Sequence, residues 1–111
     1  MATYTPKRLT NPTVLTTSYV SQYTVPSATT TIVKQLIIAN PTGTAATASV
    51  SIVPSAGSAS TSNNVIGGLT VSANSTLVFD LSQVLATGDS IWALASAGTT
   101  LNIVISGVEV A

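Results

Sequence analysis

A period-two alternation in the segment TAATASVSIV (44–53) constrains the fold of this chain more than any other sequence feature. The apolar positions are Ala46, Ala48, Val50 and Ile52, and the intervening positions are Thr47, Ser49, Ser51 and Val53. Because successive side chains of a strand point to opposite faces, this segment predicts a β-strand with one face in a core and the other toward solvent.

Further segments of strand character flank this one and are separated by turn residues. They are rich in Thr, Val, Ile and Tyr and comprise residues 17–25, 30–40, 65–71, 76–81, 90–95 and 99–110. Together the segments predict about seven or eight short strands and about one helical turn at most. This spacing favours an all-β domain, a single antiparallel β-sandwich or jelly roll, over any α/β fold.

Three of these segments also predict their own surroundings. TTIVKQLIIAN (30–40) is almost continuously apolar, which predicts an inner strand with both faces largely covered. Gly67 and Gly68 weaken the strand that contains them and predict a bulge or a sheet edge. The connection SAGTT (96–100) has a length suited to a hairpin, which predicts that the strands on either side of it pair with each other.

The N-terminal segment, residues 1–13, lacks any periodicity. Its distinctive residues are Pro6, Lys7, Arg8 and Pro12. We therefore expect an extended N-terminal arm over residues 1–13, mobile unless a neighbour holds it. The β-sandwich domain is then expected to comprise residues 14–111.

The chain is nearly devoid of charge. Only 5% of its 111 residues are charged and the net charge is zero, whereas about 25% is typical of soluble domains. Such a surface has little charge repulsion to keep copies apart. We therefore expect much of it to be covered, either by copies of the chain itself or by a larger assembly. A free monomer kept soluble by its hydroxyl groups is the alternative.

The composition also excludes several kinds of chemistry. The sequence has no cysteine and no histidine, so disulfides, thiolates, imidazole bases and histidine metal ligands are not available. The basic residues Lys7, Arg8 and Lys34 cannot neutralise a run of phosphates, so we expect no nucleic-acid partner. No apolar run approaches the roughly 18–20 residues of a membrane span, and the start lacks the apolar core of a signal peptide. We expect no membrane partner and a cytoplasmic origin.

The stretch DLSQVLATGDSIWAL (80–94) contains Asp80 and Asp89 and fits more than one interpretation. A catalytic pair needs carboxyl groups about 5–9.5 Å apart, but no Arg, His, Tyr or Asn nearby would complete the site. A calcium site lacks a third carboxylate. We favour a structural interpretation, in which Asp80 caps a helical turn and Asp89 holds an Asx-type turn. No catalytic residue, cofactor or metal is therefore expected.

Aromatic side chains are the remaining candidates for recognition. Tyr19 and Tyr23 are four residues apart, which predicts that they share one face of a strand. Trp92 is flanked by Ile91 and Leu94, which predicts a place in a core or an interface. A carbohydrate-binding module would instead expose such aromatics as platforms. The candidate assembly residues are Lys7, Arg8, Tyr19, Tyr23 and Trp92.

Three blocks of the sequence together resemble a known class of protein. They are YTVPSATTTIVKQLIIAN (23–40), ANSTLVFDLSQVLATGDSI (73–91) and VISGVEV (104–110). The combination resembles the small all-β virion proteins of tailed bacteriophages, which are associated with capsid decoration, fibres or tails. The resemblance covers most of the chain and leaves out the N-terminal arm and the loop at 54–64.

The resemblance implies a β-sandwich that assembles in copies, often trimers, without enzymatic activity. It implies a structural protein of the virion, made in the host cytoplasm, whose partners are copies of itself and other virion proteins such as the major capsid protein. A capsid decoration or cement protein is our first expectation, with residues 1–13 as its tether. A tail, collar or fibre-adaptor protein is the alternative, and a carbohydrate- or receptor-binding module is the rival outside the virion class.

Overall fold

The computed structural model describes residues 3–98 and 100–111. Along these residues the chain forms eight strands and one short 3-10 turn at Thr61–Asn63. The strands are β1 (Tyr4–Val14), β2 (Val20–Thr24), β3 (Thr30–Asn40), β4 (Ala46–Val53), β5 (Asn64–Val71), β6 (Ser75–Leu85), β7 (Ser90–Ala95) and β8 (Asn102–Val110).

The strands form two four-stranded antiparallel sheets. Sheet A has the order β1-β8-β3-β6 and sheet B has the order β2-β7-β4-β5. The chain passes from one sheet to the other at each connection except the one between β4 and β5. Eight strands in two sheets with this alternating connectivity are a jelly roll. The predicted all-β sandwich or jelly roll is confirmed.

The hydrophobic core lies between the two sheets. Sheet A contributes Leu36, Ile38 and Ile105, and sheet B contributes Val50 and Ile91, all at most 2% exposed. Each fully buried Val, Leu or Ile side chain stabilises the fold by about 1.5–3 kcal/mol relative to an exposed one. The faces of the sheets that point away from this core are called the outer faces below.

Strand β4 has the alternation that its sequence predicts, since its apolar set packs in or against the core. Ser51 and Val53 lie on the outer face and are buried as well, because residues 54–60 fold back over them. The Ser51 hydroxyl donates to the carbonyl of Ser60 at 3.3 Å. Gly57 lies against the Val53 side chain. The long loop therefore covers one end of sheet B.

Strand β3 is an inner strand, as predicted, and it changes face at a bulge. Its buried apolar and hydroxyl positions are Thr31 and Val33 before the bulge and Leu36 and Ile38 after it. Lys34 is the extra residue between them relative to β8, and its side chain is exposed. One extra residue shifts the alternation by one. The apolar run on either side of the bulge arises because both faces of the strand carry apolar side chains, with Ile32 and Ile37 on the face away from the core.

Strand β5 lies at the edge of sheet B, and its pairing with β4 contains register shifts. The bulge or sheet edge predicted from Gly67 and Gly68 is confirmed. Gly68 has a φ of +60°, a left-handed conformation that glycine adopts more readily than other residues.

The hairpin predicted across residues 96–100 is wrong. Strand β7 pairs with β2 and β4 in sheet B, whereas β8 pairs with β1 and β3 in sheet A. The connection crosses between the sheets. Packed sheets lie about 10 Å apart, so a short segment can span that distance as readily as it can close a hairpin.

The helical turn predicted after Asp80 is also wrong. Residues 80–85 continue strand β6, where Gln83 pairs with Val33 of β3. The ladder with β3 gives this segment its backbone partners, so there is no helix terminus for Asp80 to cap.

The N-terminal segment differs from the expected free arm. Met1 and Ala2 lie outside the described residues, and from Tyr4 onward the segment is extended as edge strand β1, paired along β8. Leu9 reaches the core and is 9% exposed. Prolines are tolerated in an edge strand because one side of its backbone makes no ladder bonds. The segment that looked like a separate arm therefore completes sheet A.

Candidate functional site

The outer face of sheet A, called the sheet A face below, is largely apolar. Further valines and isoleucines lie between the core residues of its inner strands, because β3 and β8 carry β-branched residues at odd and even positions alike. Directly paired residues share one face of a sheet. The registers therefore place on this face Pro6, Arg8, Ile32, Gln35, Ile37, Ala39, Val78, Asp80, Val84, Val104, Ser106 and Val108.

These residues form rows that run across the strands. One apolar row is Pro6, Val108, Ile32 and Val84, and another is Val104, Ile37 and Val78. Val84 is 66% exposed and Val78 is 54% exposed. A monomer rarely exposes such a contiguous apolar patch unless the patch binds something.

A polar row separates the two apolar rows. It consists of Arg8 on β1, Ser106 on β8, Gln35 on β3 and Asp80 on β6. Gln35 Nε2 donates to Asp80 Oδ1 at 3.4 Å. Both charged side chains are exposed, and within the described part of the chain neither belongs to an ion pair. The row thus ends in a positive charge on one edge of sheet A and a negative charge on the other.

The outer face of sheet B, called the sheet B face, is rich in hydroxyl groups. It presents Thr47, Ser49 and Thr70, which alternate with core-facing residues of β4 and β5. The Ser49 hydroxyl accepts a hydrogen bond from the Gly68 amide at 3.0 Å. This face is the solvent-facing kind that the sequence of β4 predicts.

A small hydrogen-bonded network crosses the sheet B face. Asn64 Oδ1 accepts hydrogen bonds from the Tyr19 hydroxyl at 2.8 Å and from Ser51 Oγ at 2.6 Å. Tyr19 precedes β2 at one edge of the sheet, while Asn64 begins β5 at the other. The half-buried phenol therefore extends across the face over the intervening strands.

Trp92 also belongs to the sheet B face and not to the core. Its neighbours Ile91 and Ala93 point into the core, whereas Trp92 is half-buried and pairs in register with Ser21 and Ser51. Its indole N–H donates to Ser90 Oγ at 2.7 Å. The core alternative predicted for Trp92 is wrong, and the interface alternative stays a prediction.

Tyr23 lies on the opposite side of sheet B from Tyr19. A register shift between Ser21 and Tyr23 changes the face, and Tyr23 pairs with the core residue Ile91. The shared face predicted from the spacing of the two tyrosines is therefore wrong. The sequence spacing of the two tyrosines does not reveal a bulge in such a short strand, so it cannot predict the change of face.

The Tyr23 hydroxyl reaches from sheet B into sheet A. It donates to Glu109 Oε2 at 2.5 Å and lies 2.9 Å from the hydroxyl of the fully buried Thr31. Lys7 Nζ lies 3.4 Å from Glu109 Oε1, and the Glu109 side chain is 15% exposed. The cluster of these four residues joins β1, β2, β3 and β8 at one end of the jelly roll.

The cluster shifts the acid–base behaviour of two of its members. The hydrogen bond from Tyr23 holds the pKa of the Glu109 carboxyl below its ordinary value, Lys7 lowers it further, and burial opposes both. Burial raises the pKa of the Tyr23 phenol to about 12, and the bond to Glu109 adds to this. Glu109 is therefore held as a carboxylate and Tyr23 as a neutral phenol, which is a structural arrangement.

Asp89 holds the turn by which the chain crosses from sheet A to sheet B. Its carboxylate accepts hydrogen bonds from the amides of Ala86 and Ser55, both at 3.0 Å. Gly88 in this turn has a φ of +88°. Asp89 thereby ties the turn between β6 and β7 to the loop that follows β4.

Asp80 and Asp89 do not form a paired-carboxylate site. Residues 80–85 run as an extended strand, so Asp80 lies about 16 Å from the start of the turn that contains Asp89. The Asp80 carboxylate lies on the sheet A face, and that of Asp89 is occupied by backbone amides. The two acids cluster in the sequence only.

The predicted assembly residues therefore separate into three places. Arg8 lies in the polar row of the sheet A face, Tyr19 and Trp92 lie on the sheet B face, and Lys7 and Tyr23 lie in the inter-sheet cluster. The sequence prediction missed the sheet A face. Its signal is the surplus of Val and Ile at odd and even positions of β3 and β8; for β3 this surplus predicts a strand that is covered on both faces.

Residues 3–98 and 100–111 enclose no pocket, and no three acidic side chains among them lie together as metal ligands would. No helix among them is long and apolar enough to cross a membrane. Every buried nitrogen and oxygen of the side chains that the structure describes has a hydrogen-bond partner.

Comparison with known proteins shows similarity of fold. No protein-family model matches the chain, and no curated protein matches its sequence. The structure is similar to a chain of a Bacillus endospore appendage, described as one of a family of disulfide-linked pili, with a TM-score of 0.58 and 10% identity over 98% of this chain and 88% of the other.

It is also similar to a chain in the structure of infectious bursal disease virus, Gx strain, with a TM-score of 0.55 and 11% identity. That match covers 98% of this chain but only 31% of the viral chain, so this chain spans about a third of its length. At such identities the similarity concerns the jelly-roll fold.

Proposed function

We propose that this chain is a structural protein of a virion, which docks in multiple copies on a tailed-phage particle as a capsid decoration protein. The observation that carries the proposal is the sheet A face. Two apolar rows lie on the outer face of a domain with only 5% charged residues. Their inner-strand members are half-buried and Val78 and Val84 are exposed, so the isolated surface is poorly suited to remain uncovered. No enzymatic activity is part of the proposal.

The comparisons supply two precedents for the fold in assemblies. One similar chain comes from an appendage built as a pilus, and the other comes from a virus. The pili are described as disulfide-linked. The present sequence has no cysteine, so its copies would associate through noncovalent contacts between faces and edges.

The partners in this proposal are copies of the chain itself and other virion proteins such as the major capsid protein. A tail, collar or fibre-adaptor position is the alternative within the virion. Assembly in copies, as dimers or as trimers, and a tether formed by residues 1–13 belong to the same proposal. From Tyr4 onward this tether segment is also edge strand β1, which pairs with β8 and places Leu9 in the core.

The test is to purify the virus particles made by cells that encode this chain and to analyse them by mass spectrometry and electron cryomicroscopy. We expect the chain in the particles at a copy number matching a repeating lattice, with its density on the head. Density on the tail or collar would select the alternative position. Absence from purified particles would overturn the proposal.

A carbohydrate- or receptor-binding module is the second candidate, because Trp92 is half-buried on the sheet B face beside the Tyr19–Asn64 network. Exposed aromatic faces with nearby hydrogen-bonding groups suit sugar rings. A glycan array with the wild-type chain and Trp92→Ala tests this directly. Binding that disappears in Trp92→Ala supports the module, and no binding by the wild type removes it.

A further inference from the structure

We propose that the sheet A face is self-complementary and pairs with the same face of a second copy through a two-fold axis that runs along the strands. The inference deepens the structural role proposed above and rests on it only for its biological setting. The structure itself supplies the reasons, which are the charges at the ends of the polar row, the order of the apolar rows and the area.

The polar row has opposite charges at its two ends. Arg8 lies on edge strand β1 and Asp80 on edge strand β6, three strand spacings apart. At about 4.8 Å per spacing the separation is about 14 Å, which is too long for an ion pair within one chain. Neither charge belongs to an ion pair among the described residues, and a second copy can provide a partner for each of them.

A two-fold axis parallel to the strands brings these charges together. Such an axis places edge strand β1 of one copy opposite edge strand β6 of the other. Each row keeps its position along the strand direction, so it faces the same row of the second copy. Arg8 of one copy then faces Asp80 of the second copy, and the symmetry makes this contact twice. A two-fold axis across the strands would instead place Arg8 over Arg8, so the charges select the first arrangement.

The same axis matches every residue of the first apolar row and the two inner-strand residues of the other row. In the first row, Ile32 faces Val108 of the second copy and Val84 faces Pro6. In the other row, Ile37 faces Val104. Two sheets packed in this way keep their strands within about 30° of each other and about 10 Å apart, as in the interior of a sandwich.

The area is sufficient for a stable dimer. Four strands about 4.8 Å apart and nine residues of about 3.3 Å each give a face of about 19 by 30 Å. Two copies would together bury about 1,100 Å², which exceeds the roughly 1,000 Å² expected of a biological interface.

Lys34 is the one charge on the sheet A face that this pairing leaves unmatched. It is exposed at the bulge of inner strand β3, so its side chain must lie on the outer side of the sheet. The axis passes between β8 and β3, so the two Lys34 side chains would approach each other. Lys34→Gln removes that repulsion and should lower the dissociation constant of the dimer by several-fold.

The test is sedimentation equilibrium of the full chain at low salt, with charge reversals at the two ends of the polar row. Arg8→Glu and Asp80→Arg should each raise the dimer dissociation constant by about 100-fold, because each removes two attractions and adds two repulsions. The double variant Arg8→Glu/Asp80→Arg should restore it to within a few-fold of the wild type. Thr47→Glu on the sheet B face is the control and should leave dimerisation unchanged.

Thermal melts of each variant show whether it folds. A monomeric wild type at millimolar concentration, a trimer, or a double variant as weak as the singles would each overturn the inference. A monomeric wild type whose single variants lose occupancy on virus particles would assign the face to another virion protein instead. The proposed virion role is tested separately by the presence of the chain in particles, so either idea can fail alone.

Discussion

The outer face of sheet A presents valine and isoleucine on its inner strands, whereas inner strand β4 of sheet B presents Thr47, Ser49 and Ser51 to its outer face, beside Trp92 and Leu94 of β7. Both faces lie on inner strands of the same jelly roll, and both are backed by the same core. Packing against the core therefore does not explain the difference. What explains it is the environment on the outside, which we infer to be another protein surface for sheet A and water for sheet B.

The largest expected effect comes from breaking sheet A at Gly107. A Cβ there would collide with the carbonyl oxygen of Ile32, and both residues lie in inner strands whose positions are fixed by two neighbours. Gly107→Ala should lower the free energy of unfolding by about 3 kcal/mol or more, as measured in urea.

The counterpart in sheet B is Gly68→Ala on edge strand β5. No atom lies within 4 Å of a Cβ at this position, so the only cost is the positive φ, about 1 kcal/mol. Equal losses for the two variants would show that the close packing of β8 against β3 is not as described.

The two aspartates should differ in what they stabilise. Asp89→Asn replaces a carboxylate that accepts two backbone amides and should cost about 1–2 kcal/mol of unfolding free energy. Asp80→Asn on the sheet A face should change stability by less than about 0.5 kcal/mol. Chemical denaturation of the two variants measures both values, and the reverse order would contradict the roles assigned to them.

A smaller effect concerns the cluster that joins the two sheets. The pKa of Glu109 is lowered in the folded state, so its contribution to stability is present above about pH 4.5, its ordinary pKa, and is lost as the pH falls through the folded value. The pKa of Tyr23 is raised to about 12, so its contribution is present below pH 10 and is lost as the pH rises toward 12.

Melting temperatures across the pH range check both signs. Glu109→Gln should flatten the fall in melting temperature on the acid side relative to the wild type, and Tyr23→Phe should flatten the fall on the alkaline side. The comparison of each variant with the wild type isolates the contribution of the cluster. Unchanged slopes in both variants would mean that the cluster does not couple the sheets.

The sequence predicts most of the strands, because period-two alternation and turn residues are local signals. It predicts the face of β4 correctly for the same reason. Pairing is not local, so the partner of β7 and the strand character of residues 80–85 were missed, since both depend on which sheet lies alongside. Residues 4–14 look like an arm because their own pattern is irregular, and β8 makes them a strand.

The candidate site was predictable only in part. Charge depletion indicates that a surface is covered, but bulges at Lys34 and after Ser21 shift the alternation and conceal which face each residue joins. Arg8 and Asp80 are far apart in sequence, and only the order of four strands places them in one row.

The most direct test of the difference between the two faces is a pair of matched lysine substitutions. Ile37→Lys and Thr47→Lys each place one positive charge at a half-buried outer position on an inner strand, one in sheet A and one in sheet B. Sedimentation velocity should show that Ile37→Lys abolishes self-association while Thr47→Lys leaves it as in the wild type. Loss of association in Thr47→Lys with Ile37→Lys unaffected would contradict the assignment of the sheet A face as the interaction surface.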